Sequence, residues 1–431
     1  MSEGASPSSA LWRTLDSCVK AVTGVLGGRI LALICVAVIA WATLFPTDAI
    51  GGERFLVCLV CGDRGAADAT LNTVMFVPLG ISLALAGLGA SVVIPLGFVL
   101  SAIIESIQFF VPGRDSSLGD LVFNTLGGAI GGLMVWTASR WIYPGPRASV
   151  RLTAAAVALF AGIVALTGWL FTPTHPDAPY FVQWEPERYH LPPHPGTITS
   201  VRLGERTLPP ESRWPWSTFR DAWNRGDTLQ IEMRDASTPP SLAPILSVHD
   251  LRRREVLFIG DDRGVLVVRP RLRALDQRFD QPDFRLAGAG RGEPLTIRVA
   301  REGDGFFLTM GGESRLTRNT ASRGWGLLYY VESAPEWFRA LVGLGWIAAL
   351  CAPAGFWARS RGAVILAAVA VVTALAIIPT VTALGPTRPV EYLAAVAGVL
   401  SGVVLAYVAK RLRALAVAPA QPAASRVYRR A

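Results

Sequence analysis

Residues 104–128 read IESIQFFVPGRDSSLGDLVFNTLGG, a polar segment set between long runs of Val, Leu, Ile, Ala and Gly. The charged and amide side chains in it are Glu105, Gln108, Arg114, Asp115, Asp120 and Asn124. Pro112 and Gly113 in the middle predict a turn. The segment therefore indicates the ends of two apolar helices and the polar turn that connects them.

The composition of the whole chain is apolar enough for a membrane protein. Of its 431 residues, 51% are hydrophobic and 17% are charged, against about a quarter charged in soluble domains. A membrane span needs roughly 20 mostly apolar residues. The candidates are 30–46, 72–90, 92–111, 119–139, 152–172, 338–357, 362–385 and 391–409. We therefore predict a polytopic α-helical membrane protein with about eight transmembrane helices, the first being an uncleaved span rather than a signal peptide.

Basic residues are distributed unevenly among the segments that join these spans. With the N-terminus inside, the cytoplasmic segments contain Arg13, Lys20, Arg29, Arg140, Arg147, Arg151, Arg359, Arg361, Lys410, Arg411, Arg413, Arg426, Arg429 and Arg430. The short outer loops contain Asp48, Glu53, Asp63, Asp68, Asp115 and Asp120. This is the positive-inside pattern. It predicts a multi-pass protein of the bacterial cytoplasmic (inner) membrane with cytoplasmic N- and C-termini.

A more polar insertion separates the fifth and sixth spans. Residues 173–336 contain 22 arginines and 22 acidic residues, so this segment is neutral and the net charge of +9 lies elsewhere. The basic excess is thus a topology signal and does not indicate nucleic-acid binding. Short β-branched runs between turn residues predict about eight strands in an antiparallel, jelly-roll-like β-sandwich on the extracytoplasmic side. The predicted strands are 228–233, 244–249, 255–260, 264–270, 283–287, 295–300, 305–310 and 325–332.

The strand pattern of the insertion, including LFIGDDRGVLVVRPR and LTIRVAREGDGFFLTMGG, resembles concanavalin A-like, laminin-G-type sandwiches. The resemblance implies binding of glycan, or of calcium on a loop, without naming ligand residues. Trp214, Trp216 and Trp223 are candidates for stacking on sugar rings; the alternative is that they pack inside the domain or lie at the membrane interface.

The cysteines and histidines give no metal-binding pattern. Cys58 and Cys61 form a C-x-x-C motif that lacks the two further ligands of a zinc site, which leaves a disulfide or free buried thiols. Cys18, Cys35 and Cys351 are interpreted as small core residues. His190 and His194 lie in a proline-rich loop and are interpreted as polar loop residues. No metal or other cofactor is expected, calcium on the sandwich excepted.

Helical spacing brings the polar residues of the opening segment together. Glu105 and Gln108 share one helix face, while Asp120, Asn124, Gly127 and Gly131 form a stripe on the next helix. Asn72 is expected to begin the second span, with Gly80 on its face and Pro78 bending or breaking it. An unpaired carboxylate at membrane depth costs roughly 2.5–3.5 kcal/mol. Glu105 should therefore have a partner, and Arg114 is the nearest candidate.

The ordered polar set resembles the VanZ-like membrane family over residues 30–140. The family motifs N-x3-F-x-P-L-G, E-x2-Q, R-x-S/T-x3-D and N-x2-G are matched by Asn72, Phe76, Pro78, Leu79, Gly80, Glu105, Gln108, Arg114, Ser116, Asp120, Asn124 and Gly127. The resemblance implies a four-helix core and an association with resistance to the glycopeptide teicoplanin. The remaining segments are a cytoplasmic start (1–29), a fifth helix (152–172), the sandwich (173–336), three further helices (338–409) and a basic tail (410–431).

Three hypotheses for the polar cluster stay open. In the first, an envelope-binding protein holds a lipid-linked cell-wall precursor or polysaccharide at the outer leaflet, with Arg114 on phosphate and the amides on sugar or peptide. In the second, a membrane enzyme uses Glu105 or Asp120 as general acid or base on such a lipid. In the third, the cluster only joins the helices. No nucleophile, metal or cofactor motif supports the enzyme.

Overall fold

Eight long apolar helices form the membrane part of the protein. The computed structural model describes residues 24–46, 58–114, 116–187, 191–234, 237–288, 294–329 and 334–417. The helices are α1 (Val25–Leu44), α2 (Gly65–Leu85), α3 (Ala90–Gln108), α4 (Leu118–Trp136), α5 (Pro146–Leu170), α6 (Glu336–Trp357), α7 (Arg361–Ile377) and α8 (Pro389–Val417). Each is long and apolar enough to cross a membrane, α7 with its 3-10 extension to Val381. The prediction of a polytopic helical protein is confirmed.

Helix α2 begins earlier than predicted, and Pro78 does not break it. It begins at Gly65, so Asn72 lies two turns inside the helix instead of at its first residue. Pro78 lies within α2, which continues to Leu85. Asp68 in the first turn complements the positive end of the helix dipole. The earlier start moves Asn72 away from the loop and into the helix bundle.

Helices α2 and α4 pack closely because glycines line their contact. A Cβ atom at Gly127 would overlap the carbonyl oxygen of Thr73, and one at Gly131 would overlap that of Val77. From the other side, a Cβ at Gly80 would overlap the backbone of Gly128. Small residues let helix backbones approach in this way where lipid provides no hydrophobic driving force. The α2–α4 pair is therefore held at backbone contact.

The insertion forms a sandwich of two six-stranded antiparallel sheets. Their orders are β4-β1-β6-β7-β8-β9 and β12-β11-β10-β5-β2-β3. The strands are β1 (Tyr180–Trp184), β2 (Thr197–Leu203), β3 (Arg206–Thr207), β4 (Ser212–Trp214), β5 (Leu229–Arg234), β6 (Leu242–Asp250), β7 (Glu255–Asp262), β8 (Val265–Pro270), β9 (Phe284–Ala287), β10 (Leu295–Glu302), β11 (Gly305–Met310) and β12 (Glu313–Arg318). Both sheets contribute side chains to one apolar core. The prediction of a β-sandwich is confirmed.

The strand predictions miss parts of the sandwich and include one segment that is not a strand. The predicted strands omit β1–β4 and β12. The segments β3 and β4 are only two and three residues long, and β12 is a polar edge strand, so their sequences lack the alternating pattern. The strand predicted at 325–332 is wrong: Ala321–Leu327 is a 3-10 helix, and residues 330–333 lie outside the described part. Its apolar residues are buried against membrane helices α5 and α6 instead of in the sandwich core.

The sandwich contacts the first four helices at the beginning of α2. The backbone N–H groups of Ala66 and Ala67 donate to the carbonyl oxygen of Arg278, at 3.0 and 3.3 Å. The guanidinium of Arg278 donates to the carbonyl oxygen of Val60, and Arg64 forms an ion pair with Asp280 at 3.1 Å. The first N–H groups of a helix lack partners within it, and the sandwich supplies one acceptor. We call this end of the helices the sandwich side.

The glycine contact predicts a strong position dependence for added methyl groups. In Gly127→Ala the new Cβ would push α2 and α4 apart, which overpacking data put at about 1–3 kcal/mol of stability. Gly97→Ala on α3 is the matched control, because a Cβ there meets nothing within 4 Å. Thermal unfolding in detergent should show a clear drop for Gly127→Ala and none for Gly97→Ala. Equal stabilities of the two variants would contradict the packing argument.

The junction between α5 and the sandwich predicts an acid-sensitive stability. Burial lowers the pKa of His175 to about 4, and Arg301 and Arg220 act in the same direction. Because an unfolded histidine titrates near about 6.5, this contribution is complete above that pH and is lost as the pH falls toward 4. Between about pH 7 and 5 the unfolding midpoint should fall more for the wild type than for His175→Gln. Identical pH profiles of the two proteins would refute this assignment.

Candidate functional site

The opening segment folds into a turn that is hydrogen-bonded to both helices it connects. Ser117 caps α4, since its hydroxyl oxygen accepts from the backbone N–H of Asp120 at 3.1 Å. The backbone N–H of Ser117 donates to Glu105 Oε2 at 3.0 Å, and the Ser116 side chain hydrogen-bonds to the same carboxylate. A serine three residues before an acidic residue is a helix-start signal that the sequence contains. The turn thereby supplies the donors for a carboxylate on α3.

Two amide side chains connect the helices below the turn. Asn72 on α2 donates through Nδ2 to Asp120 Oδ1 on α4 at 2.5 Å. Asn124, one turn further along α4, donates through Nδ2 to the Ser101 hydroxyl on α3 at 3.0 Å. These pairs bring together residues that the sequence separates by 48 and 23 positions. Helices α2, α3 and α4 thus share one polar network.

The expected ion pair between Glu105 and Arg114 is not what the structure contains. Arg114 donates from Nε to the carbonyl oxygen of Phe45 at 3.0 Å and from Nη2 to that of Ala42 at 2.8 Å. The last carbonyl oxygens of a helix have no partner within it, so the arginine satisfies the end of α1. Glu105 is held by the turn instead. This corrects the predicted pairing and explains why an arginine is needed at the turn.

Two buried amide oxygens of the cluster have no donor among the described residues. Gln108 donates from Nε2 to the carbonyl oxygen of Thr43 at 3.0 Å. Its Oε1 atom, and Oδ1 of Asn124, have no partner in the described part of the chain. A buried acceptor without a donor costs about 1–3 kcal/mol. Together with the carboxylates of Glu105 and Asp120, these oxygens make the cluster mainly a set of acceptors.

The C-x-x-C loop lies between α4 and the sandwich. Cys58 and Cys61 are joined as a disulfide, with Cα atoms 5.6 Å apart. The carbonyl oxygen of Cys58 accepts from the N–H of Gly119 at 3.1 Å, and Val60 in the same loop accepts from Arg278. The loop therefore connects the start of α4 to the sandwich. The roles of Arg64, Arg278 and Asp280 have no local sequence signal, because their partners are more than 200 residues away.

Trp214, Trp223 and His194 of the insertion are packed inside the protein or against the sandwich core. Trp223 is 2% exposed and stacks on Phe219 with ring centroids 5.8 Å apart, which leaves no face for a sugar and corrects that prediction. Trp214 is half-buried against the sandwich core. The Trp216 side chain and His190 lie outside the described residues. His194 is buried, and its Nδ1 accepts from the N–H of Gly196, so it is a core residue instead of a polar loop residue.

Other predictions fall on positions that the structure describes only in part. Cys35 is half-buried in α1 and Cys351 is buried in α6, both unpaired. Asp48, Glu53, Asp115, Cys18, the N-terminal segment to residue 23 and the tail from 418 lie outside the described residues. Among the residues that the structure describes, no group of three or more His, Cys, Asp or Glu side chains could hold a metal ion.

The polar network occurs in the part of the chain that matches a known family. The model of the VanZ/LLP1 family matches residues 32–139, which include α1 from residue 32, helices α2–α4 and the whole cluster. This part of the chain is VanZ-like. No curated protein and no solved structure matches the chain. The sandwich and α5–α8 lie outside the matched residues.

The Asn72–Asp120 contact predicts an energetic coupling between α2 and α4. In a double-mutant cycle of Asn72→Ala and Asp120→Ala, we expect a coupling of about 0.6 kcal/mol and at most about 1.7 kcal/mol, the range for polar pairs in membranes. Reversible unfolding in mixed micelles measures it. A cycle of Asn72→Ala with Ser106→Ala is the control, because the Ser106 hydroxyl donates to the carbonyl oxygen of Ala102 in its own helix. Equal coupling in both cycles would refute a specific contact.

Proposed function

We propose that the protein binds a component of the bacterial cell envelope without catalysing a reaction. The binding site in this proposal is what we call the VanZ-like cluster, formed by Asn72, Ser101, Glu105, Gln108, Asp120 and Asn124. In this proposal the sandwich side is the outer face of the cytoplasmic membrane, as the distribution of basic residues predicts. The component is a lipid-linked cell-wall precursor or a related glycan lipid. Intramembrane ionisable residues that line a bundle are functional candidates by default.

The observation that carries the proposal is the excess of buried acceptors in the cluster. Gln108 Oε1 and Asn124 Oδ1 lack donors in the described part of the chain. Glu105 accepts from serines of the turn. A ligand with hydroxyl, amide N–H or amino donors would complement these oxygens, and sugars and peptides carry such groups. Since Arg114 donates to two carbonyl oxygens of α1, it is proposed to position the turn instead of binding phosphate.

The sandwich would add contacts to the part of the ligand outside the membrane. We propose a relation to concanavalin A-like, laminin-G-type domains, with glycan contacts on loops and calcium as a further candidate. The support is the pair of antiparallel six-stranded sheets around one core. The contacts of Arg278 and Asp280 with the start of α2 would keep this domain in register with the cluster. Teicoplanin susceptibility is the cellular phenotype that the family suggests.

A purely structural role of the cluster is the competing proposal. The Asn72–Asp120 and Asn124–Ser101 bonds connect three helices without any ligand. Such bonds are worth only about 0.6 kcal/mol each on average. A set of polar groups that also leaves two buried oxygens without donors is an inefficient way to join helices. The balance of costs therefore favours binding.

Lipid binding by the full chain tests the proposal. The full-length protein, Gln108→Met, Asn124→Ala and the control Ser106→Ala would be purified, their thermal stabilities compared, and co-purified lipids identified by mass spectrometry. Binding of a purified undecaprenyl-diphosphate-linked sugar would then be measured in nanodiscs. We expect at least a tenfold weaker affinity, about 1.4 kcal/mol, for the first two variants. Folded variants with unchanged binding would contradict the proposal.

Two further outcomes separate the alternatives. Loss of folded protein in the cluster variants, but not in Ser106→Ala, would support the structural role. Turnover of the bound lipid by the wild type, abolished in Glu105→Gln or Asp120→Asn, would support the enzyme. Binding without turnover is the result expected here.

A further inference from the structure

A cavity of about 460 Å³ lies away from the VanZ-like cluster, between the sandwich and the C-terminal helices. Strands β7–β9 and β12 and the 3-10 helix form its walls, together with the first turns of α6 and α8. Its volume is within the range of about 300–1,000 Å³ that small-molecule sites occupy. Its position at the starts of two membrane helices places it at the level where lipid headgroups would lie.

The lining of this cavity is strongly basic. Seven arginines and three carboxylates line it, and the arginines are Arg263, Arg285, Arg315, Arg318, Arg323, Arg339 and Arg388. Asp262 neutralises part of this charge through Arg263 and Arg285, at 3.1 and 2.9 Å. For Arg315, Arg318 and Arg388, no ion pair with a carboxylate occurs within the described residues. These three define what we call the arginine set.

The most deeply buried carboxylate described in the lining, that of Glu391, already accepts hydrogen bonds from protein donors. Glu391 is 1% exposed. Its Oε1 accepts from the Thr320 hydroxyl at 2.5 Å and from the N–H of Ser322 at 3.2 Å, while its Oε2 accepts from the N–H of Arg388 at 2.9 Å. The residue attaches the 3-10 helix to α8. Glu391 therefore stabilises the walls of the cavity, and the guanidinium groups are left as the groups that can bind a ligand there.

Further features favour a phosphate over other anions. The hydroxyl of Thr317 lines the cavity and has no partner in the part of the chain that the structure describes. The starts of α6 and α8 add the positive ends of two helix dipoles. Guanidinium groups bind phosphate oxygens with paired N–H donors. Three arginines that form no ion pair with any described carboxylate suit a group with two or more negative charges, such as a phosphomonoester or a diphosphate.

The membrane-facing wall points to an amphiphilic ligand. Ala340 and Leu344 of α6 and Val390 of α8 line the cavity, and Val390 is 48% exposed. Trp337 and Phe338 at the start of α6 are also exposed, at 68% and 40%, as aromatic residues at a membrane interface are. An apolar chain could leave the cavity along these helices. The phosphate would then be held at the height of the headgroups.

We propose that this cavity binds the phosphomonoester or diphosphate headgroup of a membrane lipid through Arg315, Arg318 and Arg388. The site is separate from the VanZ-like cluster and does not depend on the function proposed for it. The same phosphate chemistry could be satisfied by a free anion, so two probes are needed. Phosphatidic acid carries a phosphomonoester on a lipid, and inorganic pyrophosphate carries a diphosphate without a lipid.

The test compares charge-matched variants of the full chain in nanodiscs. One variant carries Arg315→Gln, Arg318→Gln and Arg388→Gln. The control carries Arg202→Gln, Arg234→Gln and Arg252→Gln, three exposed sandwich residues outside the cavity. We expect phosphatidic acid to bind at least tenfold more weakly to the first variant and equally to the control and the wild type. Phosphatidylglycerol, with its singly charged phosphodiester, should bind more weakly than phosphatidic acid.

The outcomes are distinguishable from one another and from those of the cluster experiment. Arginine-dependent binding of either probe supports the phosphate site, and the probe that binds more tightly identifies a lipid or a free anion as the source. Binding of both probes that is the same in the two triple variants overturns the proposal. If the first triple variant does not fold, Arg388→Gln alone, at an exposed position, gives the same comparison. Glu105→Gln should leave binding of phosphatidic acid unchanged.

Discussion

The close contact between α2 and α4 is the constraint on which the VanZ-like region of the protein, residues 32–139, depends. Gly127 and Gly131 allow the two backbones to touch, and only at that separation can Asn72 reach Asp120. The pairing in turn fixes the start of α4, whose cap Ser117 supplies the N–H donor for Glu105. Packing of small residues, helix capping and carboxylate solvation are thus consecutive steps of one arrangement.

The sandwich is attached to both groups of membrane helices, and both attachments are hydrogen bonds at the start of a helix. At α2 a sandwich carbonyl oxygen accepts from the N–H groups of Ala66 and Ala67. At α8 the acceptor and donor are reversed, because Glu391 in the first turn of the helix accepts from Thr320 and Ser322. Buried polar groups of this kind are costly unless they are paired. Each attachment therefore holds the sandwich in a defined position above its helices.

The two candidate sites offer opposite hydrogen-bonding chemistry. The VanZ-like cluster presents carboxylate and amide oxygens, and Arg114 is engaged with the end of α1. The cavity at α6 and α8 presents guanidinium groups and the starts of two helices. Acceptors suit sugar or peptide donors, while arginines suit phosphate. A lipid-linked glycan contains both kinds of group, which makes it a consistent ligand class for a protein with these two surfaces.

The sequence alone determined the eight spans, the sandwich and the order of the polar motif, because hydropathy, strand alternation and helical spacing are local properties. It also identified Gly127 and Gly131 as a packing stripe. It could not decide that Arg114 satisfies α1 instead of Glu105, or that Trp223 is a core residue, since both depend on which surfaces meet. The arginine-rich cavity joins strands near residue 263 to the start of α8 near residue 390. Only the tertiary structure brings those arginines together, because each of them alone is indistinguishable from an exposed surface charge.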